Sequence, residues 1–242
     1  MDEAKCALVV DDDRGSLGEI ALRTLRLGVD VFYANDCGEA WLLAQQEAHQ
    51  IGAMFFPPTV DVNAITRIAE CLESHALDIP RALVVIGKKP NEAARARLRA
   101  AGVELALWEP YDEGDFRSVV SGAMGLRYEQ RARAETRIPT TLLGRATVGV
   151  RRKDAIVATL ATTGAFLETP SPFPEDTPIT LEIRLPDGPL LVKCRVVYVR
   201  YPSSGEPLFH PTGMGVKFAS LVPEDKERLQ AFLKEIADRF EI

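Results

Sequence analysis

Histidine and cysteine are scarce in this chain of 242 residues, and their scarcity excludes several chemistries. The three histidines, His49, His75 and His210, stand at no metal-binding spacing to the four cysteines, Cys6, Cys37, Cys71 and Cys194. No C-x-x-C occurs, so neither a zinc site nor a dithiol redox motif is spelled out. The cysteines read as small core residues of a protein in a reducing cytosol. Basic charge is also short: 29 Lys and Arg against 35 Asp and Glu leave a formal net charge of -6. Bulk electrostatics therefore recruits neither nucleic acid nor anionic lipid, and aromatic and basic residues do not interleave as a nucleic-acid surface requires. No apolar run approaches the roughly 20 residues of a membrane-spanning helix. No signal-peptide pattern precedes the first apolar run, so a cytoplasmic location without membrane insertion is expected. Ser, His and Asp form no catalytic pattern, and His210, in "PLFHPTG", has no base or nucleophile near it in sequence. The expectation is a protein that is not an enzyme and has no cofactor.

What is present suffices for a core: hydrophobic residues make up 46% and charged residues 26%. The length fits one large or two small domains. In residues 1–125, short apolar runs alternate with helical patterns. "CALVVDD", "VDVFYA", "IGAMFF", "RALVVIG" and "VELALW" read as strands, the third stopped by Pro57 and Pro58. Between them, Leu17, Ile20, Ala21 and Leu25 share one helical face, as do Ile65, Ile68, Ala69 and Leu72. Pro90 and Gly102 punctuate a fourth helix. Five strand–helix units in series predict an α/β doubly wound, five-stranded parallel sheet, whose sites lie at the carboxyl ends of the strands. The run Asp11, Asp12, Asp13 sits at one such end.

Residues 126–137, "LRYEQRARAETR", are basic and lack an apolar stripe; they read as a linker or helical extension. In residues 138–242 the period changes to two: Leu181, Ile183 and Leu185 face one way, Glu182 and Arg184 the other. Asp187-Gly188 reads as a hairpin turn. Arg151 to Asp154 reads as a basic turn, and "FLETPSPFPEDTP" as a stiff connecting loop. A final helix opens at Pro223 and carries Leu229, Phe232, Leu233, Ile236 and Phe240 as its apolar stripe. The pattern predicts a small antiparallel β-barrel with a C-terminal helix.

"LVVDDD", the strand–helix order and "LWEPYD" make the first half resemble the receiver domain of bacterial response regulators. That resemblance implies a magnesium ion held by acids after the first strand, an Asp acceptor ending the third strand, a hydroxyl ending the fourth and a Lys before the proline of the fifth. Here the acceptor position falls on Met54 or Phe55, the hydroxyl position on Gly87 and the lysine position on Glu109. Phosphoryl transfer needs a nucleophilic oxygen that none of these supplies at the acceptor position. The triple Asp then reads as a retained, mostly solvated feature, with a weak cation site at Asp11 and Asp12 as the alternative. Trp108, Pro110 and Tyr111 read as packing for a helix against the sheet. A cis Glu109–Pro110 bond is implied by the resemblance alone.

The second half resembles a PilZ domain, a six-stranded barrel that binds cyclic di-GMP. The resemblance rests on R-x-x-x-R at Arg133 and Arg137, on "GMGVKF", and on the helix after "LVPED". Two guanidinium forks suit a ligand with two phosphates and two guanines. The second family signature, D/N-x-S-x-x-G, falls on "TLATTG": Thr159 stands for the acid or amide, Ala161 for the serine and Gly164 for the glycine, which a positive backbone dihedral would require. The resemblance thus makes Arg133, Arg137, Thr159 and Gly164 the candidate ligand residues. It implies a non-enzymatic signalling protein with weakened or lost nucleotide binding, acting on another signalling protein. The alternative is a nucleotide-independent adaptor in which both domains are degenerate. A homodimer fits either.

Overall fold

The computed structural model describes residues 6–12, 15–75, 81–125, 138–201, 211–240 and 242. The chain divides into two compact units, residues 1–131 with 239–242, and residues 132–238.

In the first unit the five apolar runs form parallel strands β1 (Cys6–Val10), β2 (Asp30–Ala34), β3 (Ile51–Phe56), β4 (Ala82–Gly87) and β5 (Leu105–Trp108). Helices α1 (Gly18–Arg26), α2 (Cys37–Glu47), α3 (Val62–His75), α4 (Glu92–Ala100) and α5 (Glu113–Gly125) follow them in turn. Parallel neighbours need crossovers of this length, and helices packed on the sheet leave every residue of β1 and β3 buried. The strand order is β2-β1-β3-β4-β5, the doubly wound order in which the sheet reverses direction between β1 and β3. Val9 is paired with Phe55, so the residues after β1 emerge beside those after β3.

Two readings need correction here. In α1 the buried face runs through Ile20, Ala21 and Thr24, while Leu25 is exposed. Thr24 is tolerated inside because its hydroxyl donates to the Ile20 carbonyl at 2.8 Å. β3 continues to Phe56, one residue beyond Phe55, so the apolar run reaches Pro57 as expected. Cys37 is only half buried, because it opens α2 rather than lying inside a packed layer; Cys6, Cys71 and Cys194 are buried. The Glu109–Pro110 bond is cis, and Gly102 ends α4 in the left-handed region, at φ 80°.

The second unit is a closed antiparallel barrel of β6 (Ile138–Val148), β7 (Arg151–Ala161), β8 (Gly164–Glu168), β9 (Pro178–Leu185), β10 (Gly188–Arg200) and β11 (Gly213–Ser220). The strands run β10-β11-β8-β7-β6-β9 around it, and β9 closes the circle by pairing with both β6 and β10. Leu181, Ile183 and Leu185 point inward as the alternation requires. α6 (Pro223–Phe240) lays Leu229 and Leu233 into the barrel's core. Its Arg228 forks onto Asp187, with both N···O distances 3.0 Å, and so ties the helix to the β9–β10 hairpin.

That hairpin turns at Pro186-Asp187, one residue earlier than Asp187-Gly188, with Leu185 and Gly188 as its closing pair. Proline holds a negative φ at the first turn position, so the positive dihedral moves to Gly188, at 130°. Arg151 to Asp154 are the start of β7 rather than a turn; the turn is Gly149-Val150. The proline-rich loop is more than a connection. Its Phe173 is completely buried in the barrel core, and the Lys153 ammonium lies 4.3 Å from the centre of its ring. Lys153 also donates to the Pro172 carbonyl at 3.1 Å, which holds the loop against β7. Among the described residues no helix is long and apolar enough to cross a membrane. Phe173→Ala should destabilise the chain by about 3–5 kcal/mol, the usual cost of deleting a fully buried aromatic ring. Equilibrium urea denaturation followed by circular dichroism measures it.

Candidate functional site

The candidate ligand residues lie on the β7–β8 hairpin and before β6. Arg133 and Arg137, with the rest of 126–137, lie outside the described residues, as does His210. Thr159 sits near the end of β7, paired with Phe166 of β8 and Pro139 of β6. A register shift between Val157 and Thr159 resets the strand alternation, so Val157 and Leu160 are both buried and Thr159 is half exposed. Ala161 and Gly164 close the hairpin around Thr162-Thr163, which are turn residues and do not alternate as strand residues would. Ala161 is 1% exposed. The Thr163 carbonyl accepts from the Phe218 N–H at 2.9 Å, so β11 grips the turn.

Gly164 is required for a different reason from the one expected. It is not among the positive-φ glycines. A Cβ there would stand 2.3 Å from the Val216 carbonyl oxygen, so the glycine lets two backbones approach. The same constraint recurs along β11, where Met214 and Val216 point into the core and Gly213 and Gly215 alternate with them. A Cβ on Gly215 would fall 2.0 Å from Tyr198 Cε1, and one on Gly213 would fall 2.7 Å from Phe166 Cζ. Two rings, Phe166 from β8 and Tyr198 from β10, therefore lie across the glycines, stacked with centroids 6.2 Å apart and planes 17° from parallel. Phe166 is the direct partner of Thr159, so this aromatic pair borders the candidate site. Sequence reasoning passed over it. The available signal was G-x-G in "GMGVKF", since glycine inside a strand marks a close approach by another group.

At the carboxyl end of the parallel sheet the first acid of the run is closed off from solvent. Asp11 is fully buried. Its Oδ1 accepts from the Asp12 N–H at 2.8 Å and the Ser16 hydroxyl at 3.2 Å. Its Oδ2 accepts from the Leu17 N–H at 2.9 Å and from the Tyr33 hydroxyl. Asp12 accepts from Ser16 at 3.4 Å and from the Thr59 hydroxyl at 2.6 Å. The expectation of a mostly solvated cluster is thus wrong at Asp11, because burial obliges a carboxylate to collect donors. Asp13 lies outside the described residues. The hydrogen bond to Asp11, with burial and the nearby acids, pushes the Tyr33 phenol up to about 12. Among the described residues no group of three or more His, Cys, Asp or Glu could hold a metal.

The other strand ends carry Phe56, Gly87 and Trp108, followed by an exposed Glu109. The edge is not uniformly acidic, because Lys88 and Lys89 follow β4. Gly87 needs its glycine, with φ 146° and Pro58 Cδ 3.0 Å from where a Cβ would be. Beyond Glu109, Trp108 is buried, and the Arg23 guanidinium lies 5.4 Å from the Tyr111 ring centre and 4.1 Å from that of Phe116. Arg23 also pairs with Glu113 at 2.6 Å, so this segment packs α1 against α5.

The geometry defines a doubly wound α/β unit followed by a closed six-stranded barrel with a C-terminal helix. Residues 130–235 match the PilZ domain family, so this chain carries a PilZ domain. Among solved structures, the chain is similar to the PilZ domain of YcgR from Escherichia coli with cyclic di-GMP (13% identity, TM-score 0.37, 44% of this chain and 92% of that one). It is also similar to the inhibitor of motility MotI/DgrA from Bacillus subtilis (14% identity, TM-score 0.35, 44% of this chain and 51% of that one). The match thus spans about half of the Bacillus protein. A response regulator receiver protein from Pseudomonas putida is similar as well (19% identity, TM-score 0.41, 50% of this chain and 98% of that one). No curated protein matches the chain.

Two measurements test this geometry. A tyrosine whose pKa is raised in the folded state contributes stability that is complete below its unfolded pKa and disappears as pH rises through the folded one. Stability should therefore fall between about pH 10 and about 12, and Tyr33→Phe should remove that component; chemical denaturation across this range, with phenolate absorbance alongside, reads it. Gly215→Ala should cost about 1–3 kcal/mol by overpacking against Tyr198. Tyr198→Ala in the same chain should recover part of that loss in a double-mutant cycle.

Proposed function

We propose that this chain is a bacterial cytoplasmic signalling effector, not an enzyme, whose PilZ domain binds cyclic di-GMP weakly or not at all. It acts by contact with another signalling protein. Three features support this reading. The matched region includes Arg133 and Arg137, two guanidinium groups at the family's spacing for a phosphate-bearing ligand. The hairpin keeps the glycine that the barrel needs, since Gly164 admits the Val216 backbone. It lacks the polar groups a guanine needs: Thr159 supplies one hydroxyl, and Ala161 is a buried methyl. The observation that carries the reading is Ala161, because a position with neither hydroxyl nor solvent contact offers a nucleotide no hydrogen bond. Each lost hydrogen bond costs about 0.5–1.5 kcal/mol, so two such losses weaken binding by roughly one to two decades.

The alternative is a nucleotide-independent adaptor. It is favoured by the first unit, where Met54 or Phe55, Gly87 and Glu109 stand in place of an acceptor, a hydroxyl and a lysine. Residues 1–125 act on this reading as a pseudo-receiver and 138–242 as the effector barrel, joined by the basic segment 126–137. Nucleic acid is no partner of a chain with net charge -6. A homodimer is compatible with both readings, and light scattering reports it.

Calorimetric titration of the full chain with cyclic di-GMP separates the two. The effector reading expects weak binding that is lost in Arg133→Ala and Arg137→Ala. It also expects Thr159→Asp with Ala161→Ser to tighten binding about tenfold or more. No heat from the wild type, and none from the restored variant, leaves the adaptor.

A further inference from the structure

The receiver resemblance implies a magnesium ion over the acids that follow β1, and among the described residues the donor set at Asp11 and Asp12 does not fit one. We infer that the Asp11–Asp12 cluster is closed to divalent cations, because the hydroxyls of Ser16, Tyr33 and Thr59 occupy the carboxylate positions a cation would use.

The argument starts from capacity. A carboxylate has about four acceptor directions, two on each oxygen. On Asp11 three are taken outright, by Asp12 N–H on Oδ1 and by Leu17 N–H and Tyr33 on Oδ2, and the fourth faces Ser16, whose one proton it shares with Asp12. Asp12 has one oxygen facing Ser16 and the other facing Thr59. A hard cation needs those lone pairs at about 2.0–2.6 Å, and magnesium keeps several of its waters as well. Asp11 is fully buried and has no face left for a hydrated ion. To enter, a cation would have to displace Tyr33 and Ser16 from Asp11.

The donors also come from separate parts of the unit. Ser16 and Leu17 precede α1, Tyr33 lies in β2, and Thr59 follows β3. Closing the cluster from four segments joins them at the sheet's carboxyl end, the role a bound ion would otherwise play. The polypeptide supplies the neutralising donors itself, so the arrangement is set by folding and not by ion concentration. This inference concerns the first unit alone and does not rest on the reading of the barrel.

Paramagnetic broadening by Mn²⁺ tests it on the full, ¹⁵N-labelled chain. The amide signals of Asp12 and Leu17 should stay sharp in the wild type at millimolar Mn²⁺. Their selective broadening in the wild type would overturn the inference. Tyr33→Phe with Thr59→Val should open the cluster, and both signals should then broaden. If that variant does not keep the wild-type amide spectrum, Thr59→Val alone, at an exposed position, removes the Thr59 donor from Asp12 and should broaden Asp12. A folded variant whose signals stay sharp would overturn the assignment of the exclusion to the hydroxyls.

Discussion

A carboxylate without solvent is the constraint on which the first unit turns. Asp11 is buried at the end of the central strand β1, and a charge in that position survives only if donors surround it. The donors that converge come from the turn before α1 and from β2. Satisfying the charge therefore also fixes how the first helix leaves the sheet and where the edge strand β2 ends. Three acids in succession suggest repulsion; in the fold Asp11 and Asp12 are instead bridged by one hydroxyl, that of Ser16.

The barrel obeys a constraint of another kind, the approach of backbone to backbone and of ring to backbone. Gly164 and Gly213 each leave room for a carbonyl oxygen 2.3 Å from where a Cβ would stand. Gly215 leaves room for the Tyr198 ring. Closing six strands into a barrel with a filled interior demands such contacts, and they are independent of any ligand. The glycine at 164 thus belongs to the barrel itself.

Both units thus turn polar groups or rings onto their own backbone. In the first, Tyr33, Ser16 and Thr59 satisfy the acids. In the second, Phe166 and Tyr198 cover strand β11 beside Thr159.

Much of the architecture was legible beforehand, because hydrophobic period depends on local spacing alone. Five buried runs separated by helical patterns dictate a parallel sheet, and alternation through Leu181, Ile183 and Leu185 dictates an antiparallel one. What misled was anything set by a neighbour distant in sequence. Leu25 fits the helical spacing of α1, yet Thr24 is the residue packed inside, its hydroxyl satisfied by the helix itself. Phe173 looked like part of a linker until the barrel closed over it. The register shift at the end of β7 decided which side of the strand Thr159 takes, and no pattern of two announces it. Chain order and apolar spacing determined the two folds; the partners of Asp11, the need for glycine at 164 and 215, and the aromatic pair were decided only in three dimensions, because hydrogen bonds and close contacts form between segments that the sequence separates.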